Sequence, residues 1–93
     1  MRILVVEDDS SIAQSVVDAI ENLGWQASHS ITGAGAIEIL NREHVDCIVL
    51  DLGLPDMDGG EVVRRVRAIS TVPIIIASAR PDESDRILAL ELG

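Results

Sequence analysis

Ninety-three residues without a linker or a composition break allow one domain, 1–93, and a chain of this length buries roughly two-thirds of its unfolded surface around a single core. Sixteen acidic residues against seven basic ones give a net charge of −9, which repels a phosphate backbone and excludes direct nucleic-acid binding by this chain. Apolar residues make up 47% of it and are nearly all aliphatic, so with Trp25 as the only aromatic there is neither a base-stacking surface nor an aromatic-lined cofactor slot.

Met1-Arg2 leads into the apolar run Ile3-Leu4-Val5-Val6, which predicts a buried strand over 2–7. A helix follows. Ser10 or Ser11 can cap it, Ile12, Val16, Ile20 and Leu23 fall on one stripe, and Gly24 is placed to end it in a left-handed conformation. A second strand is expected over 26–30. Thr32 then precedes a second helix over 33–42 that buries Ala36, Ile37 and Leu40. The run Cys47-Ile48-Val49-Leu50 gives a third strand over 46–51. A third helix over 60–69 presents Val62, Val63, Val66 and Ile69 inward and leaves Arg64, Arg65 and Arg67 as a solvated basic face. Ile74-Ile75-Ile76-Ala77 makes a fourth strand over 73–78, and Pro81-Asp82 suits the start of a fourth helix carrying Ile87, Leu88 and Leu92 up to Gly93.

Strand and helix alternating four times is the pattern of right-handed βαβ units in a parallel sheet. In the order 2-1-3-4 the fourth strand is an edge that is apolar and lacks protecting charges. That exposure predicts a homodimer through the open fourth strand, or exchange of elements between copies. No signal peptide or long apolar stretch is present, and the single cysteine precludes an internal disulfide; the expected address is the cytoplasm, with no membrane contact.

Function concentrates where two apolar runs stop. Glu7-Asp8-Asp9 closes the first strand and Asp51 closes the third, so these carboxylates converge at the carboxyl edge of the sheet, where open α/β folds bind their ligands. Converging carboxylates repel one another, and a divalent cation removes the conflict. Oxygen-only donors favour magnesium over zinc. Asp9 also fits a plain capping role at the start of the first helix; Glu7 and Asp8, which directly follow a buried strand, fit it less well. A carboxylate can attack phosphorus in line to form an acyl phosphate, a reaction in which the protein mainly positions groups and neutralises charge. Ser78 ends the fourth strand, from where its hydroxyl can reach a phosphoryl oxygen on Asp51.

Other motifs carry less. Asp56-Met57-Asp58-Gly59 lacks the first and last ligands of a calcium loop. Cys47 reads as a small buried hydrophobe, His29 and His44 as strand-end or surface residues, and Trp25 as a cover for the end of the first helix. A nucleotide or flavin site lacks the glycine-rich phosphate loop it needs. An aspartyl phosphatase would carry a second acid two residues after its nucleophile, where Gly53 stands.

Asp51-Leu52-Gly53-Leu54-Pro55-Asp56-Met57-Asp58-Gly59, together with Val5-Val6-Glu7-Asp8-Asp9 and Ser78-Ala79-Arg80, resembles the receiver domain of two-component response regulators, in order along the whole chain. The stretch from Asp85 to Gly93 further resembles the fourth helix of regulators with a winged-helix DNA-binding output domain. The resemblance implies a flavodoxin-like doubly wound α/β fold, here lacking the fifth strand, its lysine and switch aromatic, and the fifth helix. It implies Asp51 as phospho-acceptor, Ser78 as switch hydroxyl, and Mg2+ held by Glu7, Asp8, Asp51 and the Gly53 carbonyl, with Asp8 direct and Glu7 partly through water. Gly53 and Arg80 would tune phosphoryl lifetime. A sensor histidine kinase or a small phosphodonor such as acetyl phosphate would supply the group, the chain acting as an acceptor rather than an enzyme, and output would lie in transcription regulation through a DNA-binding domain outside this chain. The alternative is a degenerate receiver-like module that binds partners without phosphotransfer.

Overall fold

A computed structural model describes residues 1–51, 53–77 and 87–90 of the chain. β1 (Arg2–Val6), α1 (Ser10–Asn22), β2 (Gln26–Ser30), α2 (Gly33–Arg42), β3 (Cys47–Asp51), α3 (Gly59–Arg67) and β4 (Ile74–Ala77) follow one another as the alternation predicts. β1 pairs with β2 and β3, and β3 with β4, all parallel, so the expected order 2-1-3-4 holds. Strand alternation divides the core. Leu4, Val6, Ile48, Leu50, Ile74 and Ile76 face α2 and α3, where Ala36, Val62, Val63 and Val66 cover them; Ile3 and Val5 face Ala13 and Ile20 of α1.

The last strand is a correction. Residues 87–90, expected to be helical, form β5 (Ile87–Leu90), which adds to the sheet antiparallel to β4 with Ile74 opposite Leu90 and Ala77 opposite Ile87. An apolar run of this length is compatible with either period. The outer edge of β4 carries backbone donors and acceptors that need partners, and pairing satisfies them. The edge expected to be open is therefore filled by the chain itself, and the premise for a dimer through β4 falls away. The rest of the expected fourth helix lies outside the described residues, as do Ser78 and Arg80.

Smaller corrections concern faces and caps. The stripe that α1 buries is Ala13, Val16, Val17 and Ile20 rather than one running through Ile12 and Leu23, which are exposed. Spacings of three and four residues fit both sets, but the chosen stripe brings the smallest residue, Ala13, close against β1. Ile69 lies past the end of α3 and is exposed. Arg64 and Arg65 on the outer face of α3 both pair with Glu61. α1 ends as the sequence predicts: Gly24 adopts φ +84°, its N–H bonds the Glu21 carbonyl at 2.9 Å, and the Trp25 N–H bonds that of Ile20 at 3.4 Å. Trp25 lies beside this helix end and is exposed.

The N-cap of α1 is Asp9, whose Oδ1 accepts from the amides of Ser11 and Ile12 at 2.9 and 3.0 Å. Asp9→Ala is expected to cost about 1 kcal/mol, the usual loss for a cap of this kind. Urea denaturation should show the midpoint falling with an unchanged slope. A destabilisation near zero would mean that Ser10 takes over the cap.

Candidate functional site

β1 and β3 run side by side in parallel register, with Val6 opposite Leu50. One residue further along each strand stand Glu7 and Asp51. Strand alternation puts both on the α1 side of the sheet, since Ile3 and Val5 on β1, and Cys47 and Val49 on β3, face that way. Asp8 follows at the top of β1. Carboxylate oxygens of Glu7, Asp8 and Asp51 lie within 4.8 Å of one another, so the three acids expected to converge do so.

Their environments differ. Glu7 is 6% exposed, Asp51 half-buried and Asp8 open to water. Burial is the main cause that pushes the Glu7 carboxyl up, from 4.5 to about 7. The Asp9 amide, which donates to Oε2 at 3.2 Å, pulls it down; the Asp51 charge and hydrogen bonds with Asp8 and Asp51 raise it further. Glu7 thus keeps its proton up to about 7 chiefly because it is buried, with the neighbouring acids adding to the effect. The backbone of Glu7 is fixed on the other side by β2: its N–H donates to the Ser30 carbonyl at 3.0 Å, and its carbonyl lies 2.8 Å from His29 Nε2. His29, read from sequence as an isolated strand-end residue, is in fact a direct neighbour of the site.

The fourth expected ligand residue, Gly53, is exposed beside the cluster, and its N–H donates to Asp51 Oδ2 at 3.2 Å. That contact limits rotation of the Asp51 carboxylate. Asp9 is committed to the α1 cap and is not part of the trio. Ala77 of β4 stands level with Asp51.

Beyond these contacts the loop after β3 is tied down at two places. Asp58 caps α3, accepting from the Glu61 amide at 2.8 Å. Asp56 reaches across to α2, where Oδ1 accepts from the Gly33 amide at 2.9 Å and Oδ2 from the Ala34 amide at 3.0 Å. Sequence reading missed this second tie. Its partners are more than twenty positions apart, and only the packing of α2 against α3 brings them together.

The comparisons with known proteins agree with this geometry. A family model described as the response regulator receiver domain matches residues 3–93. The KDP operon transcriptional regulatory protein KdpE of Escherichia coli strain K12 is 44% identical over 93 residues, covering 99% of this chain and 41% of that protein. A probable transcriptional regulator, ycf27, of Porphyridium aerugineum is 40% identical over 92 residues, covering 99% of this chain and 38% of that protein. The chain thus spans about two-fifths of the length of these relatives. Among solved structures, the receiver domain of the Francisella response regulator 1452 superposes with a TM-score of 0.78 at 31% identity, over 86% of this chain and 67% of that one. The CheY-like receiver domain from Methylobacillus flagellatus gives 0.80 at 27% identity, over 100% of this chain and 75% of that one.

Proposed function

Because the chain belongs to the response regulator receiver domain family, we propose that it takes a phosphoryl group onto Asp51 with the help of a magnesium ion held by Glu7, Asp8, Asp51 and the Gly53 carbonyl. One observation carries this reading: three carboxylates from two strand ends meet within 4.8 Å, and the most buried of them is pushed up to about 7. The donor set is all oxygen and excessively negative, which fits a hard divalent cation and no soft one. When bound, the ion neutralises charge on the phosphoryl oxygens.

The chain's own residues supply the remainder. Asp51 ends the central strand, and the Gly53 N–H on Oδ2 aims its carboxylate. In the transfer an Asp51 oxygen forms a bond to phosphorus while the donor's bond breaks in line, its electron pair leaving with the donor. Glu7 and Asp8 gather charge rather than attack; Glu7 is buried and Asp8 lies off the strand axis. Ser78 follows Ala77, the strand partner of Asp51, and is proposed as the hydroxyl that takes up a phosphoryl oxygen after transfer. The cluster lies at the rim of the sheet with Asp8 and Gly53 exposed, which suits a bulky donor such as a phosphohistidine on a sensor kinase in the cytoplasm.

No helix of the described residues is long and apolar enough to cross a membrane. With a net charge of −9 the chain is a poor DNA ligand. Both relatives named above are described as transcriptional regulators, and the corresponding output is proposed to reside in a segment outside this chain.

Incubation with acetyl phosphate tests the proposal. With millimolar magnesium, intact-mass analysis should show one added phosphoryl group that is lost in neutral hydroxylamine, as an acyl phosphate is; with a chelator in place of magnesium the addition should disappear. A protein that stays unmodified in both, and that also ignores beryllofluoride, would be the partner-binding module without phosphotransfer.

A further inference from the structure

We propose that Asp56 is a positioning residue for the acceptor site, its carboxylate fastening the loop that carries Gly53 to the amino end of α2. This rests on the magnesium-dependent reading of the site given above, and it concerns a residue that touches neither the acidic cluster nor the reacting atoms.

The argument begins with the amides of α2. A helix leaves its first N–H groups without internal partners. Here each is accounted for: the Gly35 amide donates to the Thr32 hydroxyl at 3.0 Å, while those of Gly33 and Ala34 are taken by the two oxygens of Asp56. The N-cap residue thus serves one donor, and a side chain from a different loop serves the other two. A carboxylate across two amides at a helix start is a charge-assisted, two-point contact in the favourable direction of the helix dipole. The two amides hold the Asp56 carboxyl below the usual carboxylate range.

Packing shows that the contact joins two close surfaces. A Cβ on Gly33 would lie 2.7 Å from Met57 Cγ, 2.8 Å from Met57 Sδ and 2.9 Å from Val62 Cγ2. Only a glycine lets the start of α2 come this close to the loop and to α3. The loop is therefore fixed at three points in succession: Gly53 N–H on Asp51, Asp56 on α2, and Asp58 on the first turn of α3. Pro55 stiffens the stretch between the first two. Releasing the middle point leaves Gly53, whose carbonyl is the proposed fourth ligand, at the end of a longer free segment.

The experiment compares wild type, Asp56→Ala and Thr32→Ala. Thr32→Ala removes the other side-chain acceptor at the same helix end without touching the loop. In metal-free protein, amide hydrogen exchange followed by NMR should accelerate about tenfold at Gly33, Ala34 and Gly53 in Asp56→Ala, the change expected for loss of a hydrogen bond to a charged group. Thr32→Ala should accelerate Gly35 and leave Gly53 as in wild type. Magnesium titration should then show weakened binding in Asp56→Ala and unchanged binding in Thr32→Ala. Asp56→Asn, which retains one acceptor oxygen, should fall between wild type and Asp56→Ala in both measurements. Gly53 exchange and magnesium affinity in Asp56→Ala equal to wild type would overturn the proposal, as would an equal loss of affinity in Thr32→Ala. A wild-type chain indifferent to magnesium would instead overturn the reading of the site, while exchange at Gly53 still decides whether Asp56 holds the loop.

Discussion

Asp51→Asn should show no phosphoryl uptake from acetyl phosphate above background under conditions that label the wild-type chain. A carboxamide nitrogen is not a nucleophile at neutral pH and its oxygen carries no charge to attack with. The neighbouring acids are poor substitutes. Glu7 is buried and partly protonated at neutral pH, and Asp8 is not held by any strand. The same substitution should weaken magnesium binding. Changes to an outer partner of a metal ligand cost roughly 10- to 100-fold in affinity, and loss of a direct carboxylate should cost at least as much. It should also act on Glu7: the Asp51 charge is among the causes that raise that carboxyl, so its removal should lower it. NMR titration of Glu7 in the two proteins reads this directly. Label at the wild-type level in Asp51→Asn would move the acceptor to another residue and end the assignment.

The parts of this arrangement that were legible in the sequence are those in which one local pattern dictates one outcome. Ile3–Val6, Cys47–Leu50 and Ile74–Ala77 are unbroken aliphatic runs with acids or turn residues beyond them, and a run buried on both faces of a sheet has few other solutions. Because these strands are parallel, acids that end them end on the same side, and Glu7, Asp8 and Asp51 could be brought together on paper. Gly24 was legible for a similar reason, since only glycine takes φ +84° without strain.

What remained hidden was decided between local alternatives or by distant partners. Asp9, Ser10 and Ser11 are all good caps, and nothing local selects Asp9. Ile12, Ala13, Val16, Val17 and Ile20 contain two overlapping stripes, and the sheet chooses the one that lets α1 approach closely. Ile87–Leu90 is too short for its period to separate helix from strand, and the unsatisfied edge of β4 settles the matter. His29 beside the Glu7 carbonyl, and Asp56 across the amides of α2, depend on contacts between segments 22 and 23 positions apart, for which a single sequence holds no signal.

A second large effect follows from the charge state of Glu7. Metal-free protein should lose stability as pH rises from about 4.5 to about 7. The sign follows from proton counting: in the unfolded chain Glu7 releases its proton near 4.5, whereas in the folded protein it keeps it until about 7, so the native state binds more protons throughout this window and stability falls with rising pH. The loss should level off above 7 at about 3–4 kcal/mol, since each pH unit of such a difference corresponds to about 1.4 kcal/mol. On the acid side the sign reverses. Asp46, Asp56 and Glu61 are held below their ordinary values, by the Arg2 amide, the Gly33 amide and the Arg65 guanidinium respectively, and their contributions vanish as pH falls through the folded values. Stability should therefore be greatest in mildly acidic solution. Glu7→Gln keeps an oxygen for the Asp9 amide and places a neutral donor toward Asp8 and Asp51. It should flatten the profile between 4.5 and 8, raise stability at pH 8 in the absence of metal by about 3 kcal/mol, and weaken magnesium binding. Urea denaturation at several pH values, with and without magnesium, measures all three. In wild type, saturating magnesium should remove the slope, because a bound cation stabilises the charged carboxylate that burial disfavours. A Glu7→Gln protein less stable than wild type at pH 8 would show that the buried carboxylate is already compensated, and the electrostatic reason for a cation at this strand end would be gone.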